Sequence, residues 1–230
     1  MSTARTLLID ADDTLWENNI YFEQVASMFL ARLVNHGIAL SRGQQLLWET
    51  EQRNVKTTGY GSRAFCQSLH EVARALDVPD MKPWIQQQEQ WIFHHPIEFM
   101  PGVRETLPAL HSSNRLILVT KGHREEQANK LQRSGLADYF HDVEVVFEKT
   151  VDTYREVAAR HRLEVSHTWM VGNSPRSDIN PAKAAGLKTV FIPYHTTWQH
   201  EVEEIAPEGE TLVLEHFGRL AEYFTSHREE

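Results

Sequence analysis

The feature that most constrains this chain is a rhythm that begins after Pro101-Gly102. Short apolar runs alternate with stretches of helix-forming residues from there to near the C-terminus. Residues 115–120 (RLILVT), 143–147, 168–172 (TWMVG) and 188–192 read as strands, with a weaker one at 212–214. Residues 103–112, 124–134, 150–162, 177–185 and 216–226 read as helices, with Gly135 and Gly186 closing two of them. The strand runs are mostly apolar, as strands buried on both faces require. Strand and helix in strict alternation predict right-handed crossovers and a parallel sheet covered on both sides. Residues 5–10 (RTLLID) are one more such run, far upstream, ending in carboxylates.

Between that first strand and the alternating region the character changes. Ile20, Val25, Phe29, Leu33 and Val34 recur at helical spacing, and Phe65, Leu69, Val72, Ala73 and Leu76 repeat the pattern. Leu46-Leu47-Trp48 and a Trp-rich stretch (Trp84, Trp91) add further helical segments, and Gly59-Tyr60-Gly61 interrupts them as a loop. The expected organisation is an α/β, Rossmann-like parallel-sheet core (residues 1–17 and 97–230) with an α-helical domain (18–96) inserted after the first strand.

Bulk properties exclude several classes. With 41% hydrophobic and 24% charged residues, the composition is that of an ordinary globular protein. The formal net charge of −9, without a run of basic residues, disfavours nucleic acid and anionic membrane as partners. No apolar stretch approaches the ~18 residues of a membrane span. A signal-peptide pattern is absent from the first residues, and the single cysteine, Cys66, allows no intramolecular disulfide. Together these suggest a cytoplasmic protein.

Four features carry chemistry, each at the end of an expected strand, where parallel sheets bind ligands. Asp10-Ala11-Asp12-Asp13-Thr14 places two carboxylates two residues apart. One could attack an electrophile while the other moves protons, and both could hold a hard divalent cation. Thr120 ends the strand RLILVT and could donate to a phosphoryl oxygen. Lys149, at the next junction, could neutralise an anion, with Lys121 a rival for that role. Gly172-Asn173-Ser174-Pro175-Arg176-Ser177-Asp178 follows TWMV, its Gly permitting close backbone approach. Each alone has a plainer reading: an acidic turn, a helix cap, a surface lysine, an acid favouring a helix dipole.

Their order and shared position resemble the haloacid dehalogenase-like hydrolases. DADDT matches that family's first motif, Asp-x-Asp-x-Thr; Thr120 matches the second, Lys149 the third and GNSPRSD the fourth. The resemblance covers essentially the whole chain, with residues 18–96 as a helical cap of the family's first type. It implies a magnesium-dependent phosphohydrolase acting on a small phosphorylated metabolite. Asp10 would be the nucleophile and Asp12 the acid–base. Thr14, Thr120, Lys121, Gly122 and Lys149 would hold the phosphoryl group. Asp10, Asp12 (through its carbonyl), Asn173 and Asp178 would bind Mg2+. Within the cap, Tyr60 and Arg63 would touch substrate. An acid at position 12 favours phosphoesters over 2-haloacids, because an alkoxide leaving group needs a proton and a halide does not. One departure stands out: Asn173 occupies a position where the family usually has a metal-binding Asp.

The thirteen histidines suggest no metal site. His94 and His95 are adjacent and do not share a helix face, and His195 and His200 are five apart, unlike a zinc-protease pair. Most are expected on the surface. His195 and Trp198 lie on the loop after the last core strand, where loop packing is the plainer role, and Cys66 falls in an apolar helical pattern that suggests packing.

Overall fold

A computed structural model describes residues 5–196, 198 and 201–225. The chain divides into two compact units, one of residues 1–17, 97–121 and 127–230, the other of residues 18–96 and 122–126.

The first unit is built on six parallel strands: β1 (Thr6–Ile9), β2 (Arg115–Lys121), β3 (Asp142–Val146), β4 (Thr168–Gly172), β5 (Lys188–Phe191) and β6 (Thr211–Val213), in the order β3-β2-β1-β4-β5-β6. The strand order reverses between β1 and β4. At such a switch point the following loops diverge and leave a crevice at the C-terminal edge. Alternate side chains of each strand face opposite sides. Leu7, Ile9, Leu116, Leu118 and Val171 join a core with α5 (Val103–Ser113) and α9 (Leu220–Phe224). Leu8, Ile117, Val119 and Met170 join another with α7 (Val151–His161) and α8 (Asn180–Ala184). Each such buried aliphatic side chain contributes roughly 2 kcal/mol. The remaining helix of the alternation, α6 (Arg124–Ser134), follows β2.

The helix expected over 177–185 is two structures. Pro175–Ile179 forms a π-helical turn, in which Ile179 N donates to Ser174 O at 3.1 Å, and α8 follows. Pro181 accounts for the break. It has no N–H to give the Ser177 carbonyl four residues back, and that carbonyl accepts instead from the Tyr154 hydroxyl at 2.9 Å. The expected final helix is also shorter: a 3-10 turn at Phe217–Arg219 leads into α9, while residue 226 lies outside the described residues.

The second unit is helical: α1 (Asn19–Asn35), α2 (Leu40–Thr58), α3 (Ser62–Ala75) and α4 (Lys82–Phe93) close around Val25, Phe29, Leu33, Leu47, Phe65, Leu69, Val72 and Ile85. Cys66 is fully buried there, and burial, with Glu89 and Glu126 nearby, pushes its thiol up to about 12. Such a thiol packs rather than reacts. Two details depart from expectation. Ile20 and Val34 are exposed, because the buried stripe of α1 runs through Tyr21, Val25, Phe29 and Leu33 in steps of four. His95 is buried rather than on the surface, its ring stacked on Tyr21 with centroids 4.0 Å apart and its Nδ1 2.6 Å from the Pro96 carbonyl. No helix among the described residues is long and apolar enough to cross a membrane.

Candidate active site

Asp10 follows the last residue of β1, the strand beside the switch point, and its N–H donates to Val171 O at 2.9 Å, continuing the pairing with β4. The chain then turns tightly: Leu15 N donates to Ala11 O at 2.8 Å and Asp13 takes a left-handed conformation (φ 61°). An Asp tolerates that conformation better than most residues. The turn sends Thr14 back toward Asp10. Its hydroxyl lies 3.0 Å from Asp10 Oδ2 and 3.2 Å from Asn173 Oδ1, so three oxygens from two loops converge.

Lys149 completes the centre. Its Nζ donates to Asp10 Oδ1 at 2.5 Å and to Asp178 Oδ1 at 2.7 Å, with all three side chains nearly or fully buried. The other oxygen of Asp178 accepts from Ser174 N at 3.0 Å. Gly172 makes room for it, since a Cβ there would lie 2.2 Å from Asp178 Oδ2. Burial pushes Asp10 up to about 7; Lys149 opposes that rise and Asp178 adds to it. For Lys149, burial alone would lower its affinity for the proton, but the two carboxylates outweigh it and hold the amine charged.

Asp12, two residues on, sits in a separate cradle. Oδ1 accepts from Trp16 Nε1 at 2.9 Å and Lys130 Nζ at 2.6 Å; Oδ2 accepts from Gln127 Nε2 at 2.9 Å and Lys130 Nζ at 2.8 Å. Burial would raise this carboxyl, but Lys130 and the hydrogen bonds outweigh it and hold it below the ordinary 3.8. Gln127 and Lys130 were not singled out from sequence. Their only signal there is a spacing of three on a very polar helix, where both are buried.

The remaining candidates fall as follows. Thr120 is buried at the end of β2, its hydroxyl 3.3 Å from the Lys121 carbonyl. Lys121 does not share the place of Lys149. Its Nζ donates to Glu201 Oε1 at 2.5 Å and Ser177 Oγ at 2.8 Å, with Glu148 Oε1 at 3.3 Å. Glu201, also missed from sequence, is held down to about 2: burial would raise it, but Lys121 and the hydroxyls of Ser174 and Ser177 prevail. Gly122, Tyr60 and Arg63 belong to the helical unit. Gly122 has a positive φ (126°), Tyr60 is half-buried between α2 and α3, and Arg63 is largely exposed, 3.9 Å from Glu89. His195 is exposed, its ring 4.6 Å from that of Tyr194, and Trp198 is half-buried; His200 lies outside the described residues.

Two carboxylates, an amide oxygen and a nearby hydroxyl form an all-oxygen donor set. Among the described residues, no three His, Cys, Asp or Glu side chains gather as a cage. The donor set fits magnesium, which keeps several waters and takes one or two carboxylates, and suits zinc poorly. With both carboxylates ionised, Asp10, Asp178 and Lys149 together carry one net negative charge, so a dication is electrostatically welcome and would favour ionised Asp10.

A doubly covered parallel sheet with a buried Asp–Lys–Asp cluster at its switch point has the make-up of an α/β enzyme's active site. Residues 4–186 match the haloacid dehalogenase-like hydrolase family model, and the chain belongs to that family of hydrolases. It is 26% identical over 207 residues to the glyceraldehyde 3-phosphate phosphatase of Pyrococcus abyssi, covering 83% of this chain and 82% of that one. A haloacid dehalogenase-like hydrolase structure from Xanthomonas campestris superposes with a TM-score of 0.82 at 27% identity, covering 96% of this chain and 94% of that one. The HAD-hydrolase YfnB of Bacillus subtilis shares the fold, with a TM-score of 0.69 at 19% identity over 97% and 99% of the two chains.

Proposed function

We propose that this hydrolase cleaves small organic phosphate monoesters through an aspartyl-phosphate on Asp10. One observation carries the reading: two carboxylates two residues apart are placed in opposite surroundings. Asp10 is gathered with Lys149 and Asp178, whereas Asp12 is cradled by Lys130, Gln127 and Trp16. Such different surroundings let neighbouring carboxyls take distinct chemical roles; at rest Asp10 is the one pushed up, and a bound dication would favour its ionised, nucleophilic form.

In this reading Asp10 Oδ attacks phosphorus, the P–O bond to the leaving group breaks, and the leaving oxygen takes a proton from Asp12. Asp12 then accepts a proton from the water that hydrolyses the aspartyl-phosphate; Asp10 is freed as a carboxylate, and Asp12 releases to solvent the proton it took up from solvent before the first step, which restores its resting state. The donors around Asp12 keep it a carboxylate at rest. To protonate a leaving group it must first take up a proton and give up Lys130. Lys149, Thr120 and the backbone at Lys121 and Gly122 hold the phosphoryl oxygens. Magnesium, held by Asp10, Asn173, Asp178 and the Asp12 carbonyl, would offset the charge of a phosphate dianion meeting an anionic nucleophile.

In this reading the helical residues 18–96 act as the cap that selects substrate, through Tyr60 and Arg63. Relatives named as phosphatases of glyceraldehyde 3-phosphate and phosphoglycolate support a small phosphorylated metabolite as substrate. The buried lone cysteine suits a reducing cytoplasm. The test is hydrolysis of p-nitrophenyl phosphate with and without magnesium, with Asp10→Asn as blank. Magnesium-dependent release of phosphate, absent in the blank, is expected. Turnover of a 2-haloacid in its place would overturn the reading.

A further inference from the structure

Among its described residues, 192–196, 198 and 201–210, the loop between β5 and β6 contains no extended helix or strand, yet it is fastened at several points to the segment that follows β4 and carries Asn173 and Asp178. Asn180 Nδ2 donates to the Glu204 carbonyl at 2.8 Å, and Asn180 Oδ1 accepts from Ala206 N at 2.9 Å. Lys183 Nζ donates to the Ala206 carbonyl at 2.5 Å. The deepest fastening is Glu201. Its Oε1 accepts from Lys121 Nζ at 2.5 Å, and its Oε2 accepts from Ser177 Oγ at 2.5 Å and from the Ser174 hydroxyl. The Glu201 and Lys121 side chains are only 13% and 14% exposed. Loops this long without regular structure in a compact domain are usually functional.

The two groups that Glu201 joins lie on either side of the Asp10 strand. Lys121 ends β2 and Ser174 follows β4, and β1 runs between those strands. Ser174 is the pivot of the turn that presents both expected metal ligands of this loop. Its backbone follows Asn173, its N–H binds Asp178 Oδ2, its carbonyl accepts from Asp178 N at 2.8 Å, and its Oγ accepts from Ser177 N at 2.9 Å. Without Glu201 the hydroxyl protons of Ser174 and Ser177 lose their acceptor, and Lys121 loses its closest carboxylate. Outer groups of this kind fix the direction of metal ligands and are worth roughly 10–100-fold in metal affinity.

We infer that Glu201 is a positioning residue for the divalent-ion site: by joining Lys121 to Ser174 and Ser177, it holds the Asn173–Asp178 turn in its ion-binding shape. The identity of the ion rests on the phosphohydrolase reading; the clamp itself rests on the hydrogen bonds. The experiment measures magnesium binding directly, by titration calorimetry of the full chain, for wild type, Glu201→Ala and Glu201→Gln. Thermal unfolding without magnesium checks that each variant is folded, and p-nitrophenyl phosphate kinetics run in parallel. The expected result is about a 10-fold or greater loss of magnesium affinity for Glu201→Ala. Glu201→Gln, which can still accept from the serines, should lose less. In activity, the half-saturating magnesium concentration should rise while kcat at saturating magnesium falls far less. Unchanged affinity in a folded variant overturns the inference. Weakened magnesium binding without phosphatase activity in any form supports the clamp and sinks the phosphohydrolase reading instead. A wild-type chain that binds no magnesium overturns both.

Discussion

Lys130 Nζ grips both carboxylate oxygens of Asp12, at 2.6 and 2.8 Å, across 118 residues of sequence. Lys130→Met keeps the stem and deletes the charge. Removing one partner of a buried pair leaves the other uncompensated, and here should cost about 2–3 kcal/mol at pH 7, Asp12 being partly exposed. The pH dependence has a definite sign. The folded-state carboxyl lies below its ordinary 3.8, so its stabilisation is present above that value and fades as pH falls through the depressed one. The deficit of the variant against wild type should therefore narrow from pH 7 to pH 3 in urea unfolding. An equal deficit at both would show that the lysine stem, not the ion pair, carries the effect.

Lys149→Met removes the cation between Asp10 and Asp178 and leaves two buried carboxylates face to face. Folding stability should fall by about 3–5 kcal/mol. Saturating magnesium should return part of that loss, because a dication replaces the missing charge. Urea unfolding with and without magnesium checks this; a loss unaffected by magnesium would place the ion elsewhere.

Gly172→Ala should disable the site for a steric reason. The added methyl would fall 2.2 Å from Asp178 Oδ2, so Asp178 has to move. Magnesium-dependent activity should drop at least about 10-fold, with roughly 1–3 kcal/mol of stability lost to overpacking. Gly135→Ala is the control. It meets no atom within 4 Å but has φ of +69°, so it should cost roughly 1 kcal/mol and leave the kinetics alone.

Asn173→Asp adds a charge beside Thr14 and Asp10. Half-saturating magnesium should fall several-fold, since an amide oxygen contributes no charge to the ion. An unchanged magnesium titration would remove Asn173 from the ligand set.

Glu51, on α2, has burial as the cause of a carboxyl pushed up to about 7. Here the sign is the reverse of that at Asp12. Between its ordinary 4.5 and 7 the unfolded chain releases a proton that the folded chain keeps, so stability falls as pH rises through that window. Glu51→Gln should match wild type at pH 4 and exceed it by about 1–3 kcal/mol at pH 8. Thermal melts at the two pH values decide; parity at pH 8 would show the carboxyl to be well solvated.

What could be read from sequence was what repeats with a period or lies within a few residues. Leu7-Leu8-Ile9 and RLILVT announced buried strands because both of their faces meet apolar neighbours. DADDT and GNSPRSD were visible as short strings at strand ends. The stripe of α1 was drawn one residue too wide at each end, because Ile20 and Val34 are apolar without being inward. The π-helical turn was foreshadowed by Pro181, but the acceptor freed by that proline meets Tyr154 from another helix, a pairing that chain order conceals. The same holds for Gln127, Lys130 and Glu201. Each is an ordinary polar residue locally and gains meaning only from a partner 24 to 118 residues away.

The distance between Asp10 and the groups that complete its surroundings has a consequence in time. Lys149 lies 139 residues downstream, and Asn173 meets Thr14 across 159. At a synthesis rate of about 5–20 residues per second, the nascent chain carries Asp10 for roughly seven seconds or more before its counter-charge exists. The strand that bears Asp10 cannot acquire its β4 neighbour until then either. Chemical competence therefore arrives late, and truncated or stalled chains that lack β4 should be inert, however well their helical part has folded.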